Sequence, residues 1–148
     1  MTLTIAVPQD ADRADWERLY RGYAEYYGMP MDATILDTVW GWIQSPDSPL
    51  QGLLARTADG EAIGLMHFRA MPSPLRGATI GFLDDLFLAP AHRGSGAVDE
   101  MLDELREEAR RQGWPFVRWI TREHNYRARG VYDRHATRTD WLSYQLEP

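Results

Sequence analysis

Leu83-Asp84-Asp85-Leu86-Phe87-Leu88-Ala89-Pro90-Ala91-His92-Arg93-Gly94-Ser95-Gly96-Ala97-Val98 reads as a strand that runs into a loop with two glycines. The loop then opens an amphipathic helix, on which Val98, Met101, Leu102, Leu105 and Ala109 share a face before Gly113 stops it. Such a junction is an anion site in physical terms. Glycines let the main chain approach a phosphate closely, and the unpaired N–H groups of a helix start favour negative charge. The loop is not a nucleoside-triphosphate loop, because no lysine and hydroxyl residue follow the second glycine. It is not a Gly-x-Gly-x-x-Gly dinucleotide fingerprint either, since the strand before it does not open a strand–helix–strand repeat. Two glycines before a helix are also an ordinary tight turn, so the loop needs support from elsewhere in the chain.

Working outward, residues 79–88 form the strand that feeds the loop, and residues 116–121 a short apolar strand beyond the helix. Residues 51–56 and 61–69 are strand-like runs joined across Asp59-Gly60, a strong hairpin signal. Pro72 and Pro74 mark a loop after them. Residues 3–7 alternate as a first strand. Trp16, Leu19, Tyr20, Tyr23 and Tyr27 line one face of a helix that Asp10 or Asp12 can cap and Gly28 and Pro30 end. Asp32 caps a second helix, with Ile35, Val39, Trp42 and Ile43 expected inside. Residues 125–136 read as a last helix and 140–146 as a last strand. The order β-α-α-β-β-β-α-β-α-β predicts a mixed α/β domain. With no repeat or linker, residues 1–148 are read as one domain.

Composition narrows the function. The chain has 148 residues, 44% hydrophobic, and a net charge of −6. That charge argues against a nucleic-acid partner and mildly favours a cationic substrate. There is no cysteine, so disulfides, thiolate metal sites and a cysteine nucleophile are excluded. Every basic residue other than histidine is arginine. No apolar run reaches the length of a membrane helix and the start lacks a signal-peptide pattern, so the expectation is a cytoplasmic protein without a membrane partner. His67, His92, His124 and His135 lack metal-ligand spacing and read as structural or surface residues; no metal is expected. Tyr26 and Trp40 lie off the expected inner helix faces, where they could line a pocket for an amine.

Residues 85–96 resemble the central motif of the GCN5-related N-acetyltransferases (GNAT), in which Arg/Gln-x-x-Gly-x-Gly/Ala cradles the pyrophosphate of CoA. Arg93 and Gly96 match its first two fixed positions, and Val98 departs from the third. A second match is independent: Asn125, Ala128 and Tyr132 sit at i, i+3 and i+7, one helical face. The resemblance implies a central, mostly antiparallel sheet and acetyl-CoA as co-substrate, with no metal. It implies that Arg93, Gly94, Ser95, Gly96, Ala97 and Val98 hold the pyrophosphate. Asn125, with Ala128 on its face, would meet the pantetheine arm or an ordered water. Freed main-chain groups of Phe87 and Leu88 would pair with the pantetheine amides. Tyr132 would protonate the departing thiolate, for which a normal tyrosine pKa near 10 is suited.

The expected reaction is acetyl transfer to a primary amine by direct attack. An alkylamine is mostly protonated at pH 7, so a group must take its proton or hold the cation. Asp84 and Asp85 end the central strand. Neighbours on a strand face opposite ways, so only one should face the cleft, and Asp85 is slightly favoured. The acceptor could be a small amine, a polyamine, or a protein lysine or N-terminus. Val98 keeps an alternative open, a non-catalytic acyl-CoA binding or sensor domain of the same fold. A homodimer follows by analogy.

Overall fold

A computed structural model describes residues 2–148. Its elements in chain order are β1 (Thr4–Ala6), α1 (Arg13–Tyr27), α2 (Ala33–Gln44), β2 (Leu50–Arg56), β3 (Ala62–Ser73), β4 (Ala78–Leu88), α3 (Ala97–Gln112), β5 (Val117–Arg118) and α4 (Tyr126–His135). Single turns of 3-10 helix at Asp10–Asp12 and Pro90–His92 precede α1 and the glycine loop. The strands form one sheet in the order β1-β2-β3-β4-β5, antiparallel except for the β4–β5 pair. This is the mixed, mostly antiparallel α/β class that the sequence predicts.

The punctuation falls where local chemistry demands it. Gly28 and Gly113 end α1 and α3 in the left-handed conformation (φ 66° and 73°). The Asp32 side chain accepts from Ile35 N at 2.9 Å and caps α2. Each sheet face carries a core. Trp16, Leu19, Leu36, Val39, Leu65 and Phe87 pack between the sheet and α1/α2. Phe68, Leu83, Met101, Leu102, Leu105 and Trp114 pack beneath α3. Burying side chains of this size contributes about 1.5–3 kcal/mol each.

Several expectations need correction. The inner face of α2 is Leu36, Val39 and Ile43; Ile35 and Trp42 point outward. The helix has apolar residues on two stripes, and only contact with the sheet chooses between them. Trp40 is not spare, because it packs on Trp16 at 5.1 Å between ring centroids. β3 runs on through Pro72 to Ser73. Its β2 partner stops at the Leu50–Arg69 pair, so the missing N–H of Pro72 falls on a free edge. β5 is only two residues long. The strand expected at 140–146 is not formed: residues 137–148 have no regular secondary structure and are exposed.

Candidate functional site

The sheet opens at its centre. β4 and β5 pair only through Gly81–Val117 and Phe82–Arg118. At that contact the strand requires glycine, since a Cβ on Gly81 would lie 2.4 Å from the Trp114 ring. Past it the two strands part, and the stretch of β4 from Leu83 to Leu88 has no strand partner on that side among the described residues. The β3–β4 register skips at the same place. Phe68 faces Leu83 and His67 faces Asp85, so Asp84 is an extra, bulged residue.

The bulge sends the two aspartates to different company. Asp84 binds the guanidinium of Arg69 at 3.0 Å, outside the α1 cluster. Asp85 turns toward α1, where its Oδ2 accepts from His67 Nδ1 at 2.8 Å and from the Tyr20 hydroxyl at 3.0 Å. His67 is 1% exposed. Its Nε2 accepts from Trp16 Nε1 at 2.9 Å, so that nitrogen carries no proton and Nδ1 must be the N–H that faces Asp85. Burial pushes the Asp85 carboxyl up, but hydrogen bonds from His67, Tyr23 and Tyr20 outweigh it and hold the group below its ordinary value. Burial first, then the Asp85 charge, raises the Tyr20 and Tyr23 hydroxyls well above theirs. His67 and Trp16 were invisible as site residues in the sequence. The period-two pattern of β3 puts His67 on the α1 face, but only the register pairs it with Asp85.

From Asp85 a ladder of rings climbs α1: Tyr20 to Tyr23 at 5.7 Å, and Tyr23 to Tyr27 at 4.8 Å. The top of the ladder meets the start of α4. Tyr26 donates to Asn125 Oδ1 at 3.1 Å, and Asn125 Nδ2 donates to Thr121 Oγ1 at 3.1 Å. Asn125 thus stands at the N-cap of α4 without capping it, and both ends of its amide are engaged. On the same face as Asn125 and Ala128, Tyr132 packs edge-on against Trp119 at 5.3 Å. Burial, then the nearby Tyr27 and Tyr26 hydroxyls, pushes the Tyr132 hydroxyl up from 10.0 to about 12.

The glycine loop lies between Pro90–His92 and α3. Gly94 and Gly96 have φ of 80° and 85°, a region other residues avoid. Ser95 Oγ donates to His92 O at 2.5 Å and ties the loop to the turn before it. The N–H groups of Gly94, Ser95 and Gly96 have no main-chain acceptor among the described residues. Arg93 and Arg127 form no ion pair among the described residues, and Arg127 reaches to 3.5 Å from where a Gly94 Cβ would be. Arg127 is a loop neighbour that the sequence did not single out. The acids after the loop are engaged elsewhere. Asp99 binds His135 Nε2 at 2.6 Å and Arg134 at 3.1 Å, and its carboxyl is held low chiefly by the His135 bond. Glu100 accepts from Leu3 N at 2.8 Å. Val98 packs against the α3 core, and Ala97 is fully buried.

Alternation also divides the main chain of β4. Ala89 N donates to Ile63 O at 2.7 Å, so Phe87, two residues back, turns its polar groups to β3 as well. Leu86 and Leu88 are the residues whose main chain meets the opened edge. Among the described residues no group of three or more histidine, aspartate or glutamate side chains could hold a metal, and no helix is long and apolar enough to cross a membrane.

A parted sheet edge, a glycine loop with open N–H groups at a helix start and the buried Asp85 cluster are the features the fold brings together. The chain belongs to the acetyltransferase (GNAT) family, whose profile matches residues 15–136, and is accordingly an acyltransferase. The D-amino-acid N-acetyltransferase of Saccharomyces cerevisiae is 24% identical over 144 residues, covering 97% of this chain and 89% of that one. The fold is shared with the ribosomal-protein-alanine N-acetyltransferase of Brucella melitensis (TM-score 0.79, 23% identity, 99% of each chain). It is shared as well with a probable acetyltransferase (TM-score 0.85, 20% identity, 100% of this chain and 98% of that one).

Proposed function

We propose that this enzyme acetylates a small amine with acetyl-CoA, holding the acceptor as a cation at Asp85 and using Tyr132 as the proton donor. The observation that carries the reading is the buried Asp85 carboxylate, with His67 at 2.8 Å and Tyr20 at 3.0 Å, at the foot of a tyrosine ladder that ends at Tyr27, whose hydroxyl acts on that of Tyr132. Acetyl-CoA supplies the acetyl group as a thioester.

The residues of the loop fit its phosphates. Two glycines with positive φ, open N–H groups and the guanidinium groups of Arg93, stacked on Tyr26, and Arg127, neither in an ion pair among the described residues, supply donors and charge. Ser95 and Ala97 shape the loop and the helix start. Val98 packs against the α3 core, an arrangement that suits an enzyme and a binding-only module alike. The main chain of Leu88, and of Leu86 rather than Phe87, is available to the pantetheine amides, with Asn125 and Ala128 opposite.

Asp85 is a better anion than base, because its carboxyl is held below its ordinary value. Its task is to fix the ammonium beside the tyrosine rings, where cation–π attraction adds to the charge. The proton leaves to water. Asp84, bound to Arg69, takes no part. Tyr132 keeps its proton throughout the neutral range, gives it to the departing sulfur, and regains one from the acetylated nitrogen, so the phenol is restored. A cytoplasmic setting and a homodimeric assembly belong to the same reading.

The test is calorimetric titration with acetyl-CoA and CoA, then free-thiol release against spermidine, a lysine peptide and, because the yeast relative acts on D-amino acids, a D-amino acid. Saturable binding with amine-dependent thiol release is expected. Binding with no turnover on any amine would instead support the binding-only module.

A further inference from the structure

The proposed proton donor, Tyr132, rides on a helix with a slender hold on the rest of the molecule. α4 has 10 residues and none of them is fully buried. From it Val131 and Tyr132 pack against the core beneath α3. A helix this short does not stand alone in water, so its place is set by what it touches.

Its last turn is gripped by α3. Asp99, Asp103 and Arg106 fall at i, i+4 and i+7, one stripe of α3, and each reaches the end of α4. Asp99 Oδ1 accepts from His135 Nε2 at 2.6 Å and from Arg134 at 3.1 Å. Asp103 stands 3.9 Å from His135 Nδ1, and the Arg106 guanidinium donates to the His135 carbonyl at 3.4 Å. The His135 side chain is 14% exposed, so its bond to Asp99 is partly shielded from water. At the other end of α4, Arg127 stands beside Gly94 of the glycine loop and Asn125 is bonded to Tyr26.

Asp99 belongs to the cradle through its main chain. It is the third residue of α3, so its N–H is one of those at the helix start that no carbonyl of the helix can reach. Its side chain goes the other way, to α4. Tyr132 and His135 are i and i+3 on α4, so the grip lies one turn from the phenol. We infer that Asp99 is a positioning residue for the proton donor. By holding His135 and Arg134 it fixes α4, and with it Tyr132, relative to the turn of helix that receives the phosphates. The inference rests on the proposed role of Tyr132. It also accounts for an aspartate beside a phosphate site, where like charges repel, because the Arg134 guanidinium offsets its charge.

The test is a double-mutant cycle. Asp99→Ala, Tyr132→Phe and the double variant are compared by kcat at saturating acetyl-CoA, with spermidine, a lysine peptide or a D-amino acid, whichever releases thiol fastest. Calorimetric titration gives the acetyl-CoA affinity of each. Arg134→Ala with His135→Ala opens the same grip from α4, and far-UV spectra with thermal melts establish which variants are folded. Either opening of the grip should lower kcat roughly 10-fold, as a small displacement of a reacting group does, without weakening acetyl-CoA binding. In the Tyr132→Phe background the same opening should cost less than about 2-fold, because a residue that acts through the phenol has nothing left to position. Full kcat in a folded variant with the grip opened would overturn the inference. So would a loss that multiplies with that of Tyr132→Phe, or one that falls on acetyl-CoA affinity alone. A silent Tyr132→Phe removes the role of Tyr132 and this inference with it, whereas a strong Tyr132→Phe beside a silent Asp99→Ala overturns the inference alone.

Discussion

At the residue scale the site turns on one carboxylate and the proton that faces it. Trp16 fixes which nitrogen of His67 is bare, His67 therefore offers N–H to Asp85, and Asp85 stays an anion although buried. Asp85→Asn should lower kcat/KM for the amine by about 10–100-fold, the equivalent of about 1.5–3 kcal/mol for a hydrogen bond to a charged group, and leave acetyl-CoA affinity unchanged. Steady-state kinetics beside calorimetry separates the two. The same substitution flattens the acid limb of stability. A carboxyl held below its ordinary 3.8 contributes stability that is full above that pH and is lost as pH falls through the native value. Acid unfolding of Asp85→Asn followed by fluorescence should show a weaker dependence on pH below about 4. Tyr132 has the opposite sign. Its hydroxyl is raised from 10.0 to about 12, so its proton, which the proposed mechanism passes to the thiolate, is retained until pH climbs through that window. Activity should hold to pH 10 without an alkaline loss, and Tyr132→Phe should cut kcat by roughly 10²–10⁴-fold at unchanged acetyl-CoA affinity. An alkaline limb in the wild type well below pH 10 would assign the proton to another group.

At the element scale the cradle depends on two glycines held in a region closed to side chains. A methyl group on Gly96 would meet nothing within 4 Å, so crowding is not the obstacle; its φ of 85° is. Gly96→Ala should cost about 1–2 kcal/mol of left-handed strain if the loop keeps its shape. If the loop relaxes instead, melting is little changed and acetyl-CoA binding weakens. Thermal melts and titration together distinguish these outcomes, and wild-type values in both would remove the loop from the site. This loop was legible in the sequence, as were Gly28, Asp32, Gly60 and Gly113, because each is a local signal whose residue type answers a local backbone need. The choice between the stripes of α2 was not legible, since Ile35 and Leu36 are both apolar and only the sheet selects Leu36. Nor was the pairing of His67 with Asp85, which a single bulged residue, Asp84, sets. Asp140 to Leu146 reads as a strand by composition, yet a strand exists only with a partner, and among the described residues it has none.

At the scale of the whole molecule, charge separates the two substrates. The chain carries −6 overall, while Arg93 and Arg127 stand at the glycine loop. The proposed acceptor side holds the buried anion Asp85 among neutral tyrosines. In the proposed reading a polycationic amine should be drawn by the field of the whole surface and then by Asp85, whereas a zwitterionic amino acid should feel only the second. Screening distinguishes them, because the Debye length falls from about 30 Å at 0.01 M salt to about 8 Å at 0.15 M. Over that range kcat/KM for spermidine should fall several-fold, and kcat/KM for a D-amino acid should stay nearly level. Parallel salt series with acetyl-CoA held saturating make the measurement, since saturation removes the salt dependence of phosphate binding. If the spermidine rate is flat, long-range attraction plays no part in acceptor capture and the acidic surface serves solubility alone. If the two amines differ as expected, the field and the buried carboxylate act in series, and a small polycation is the acceptor for which the molecule is built.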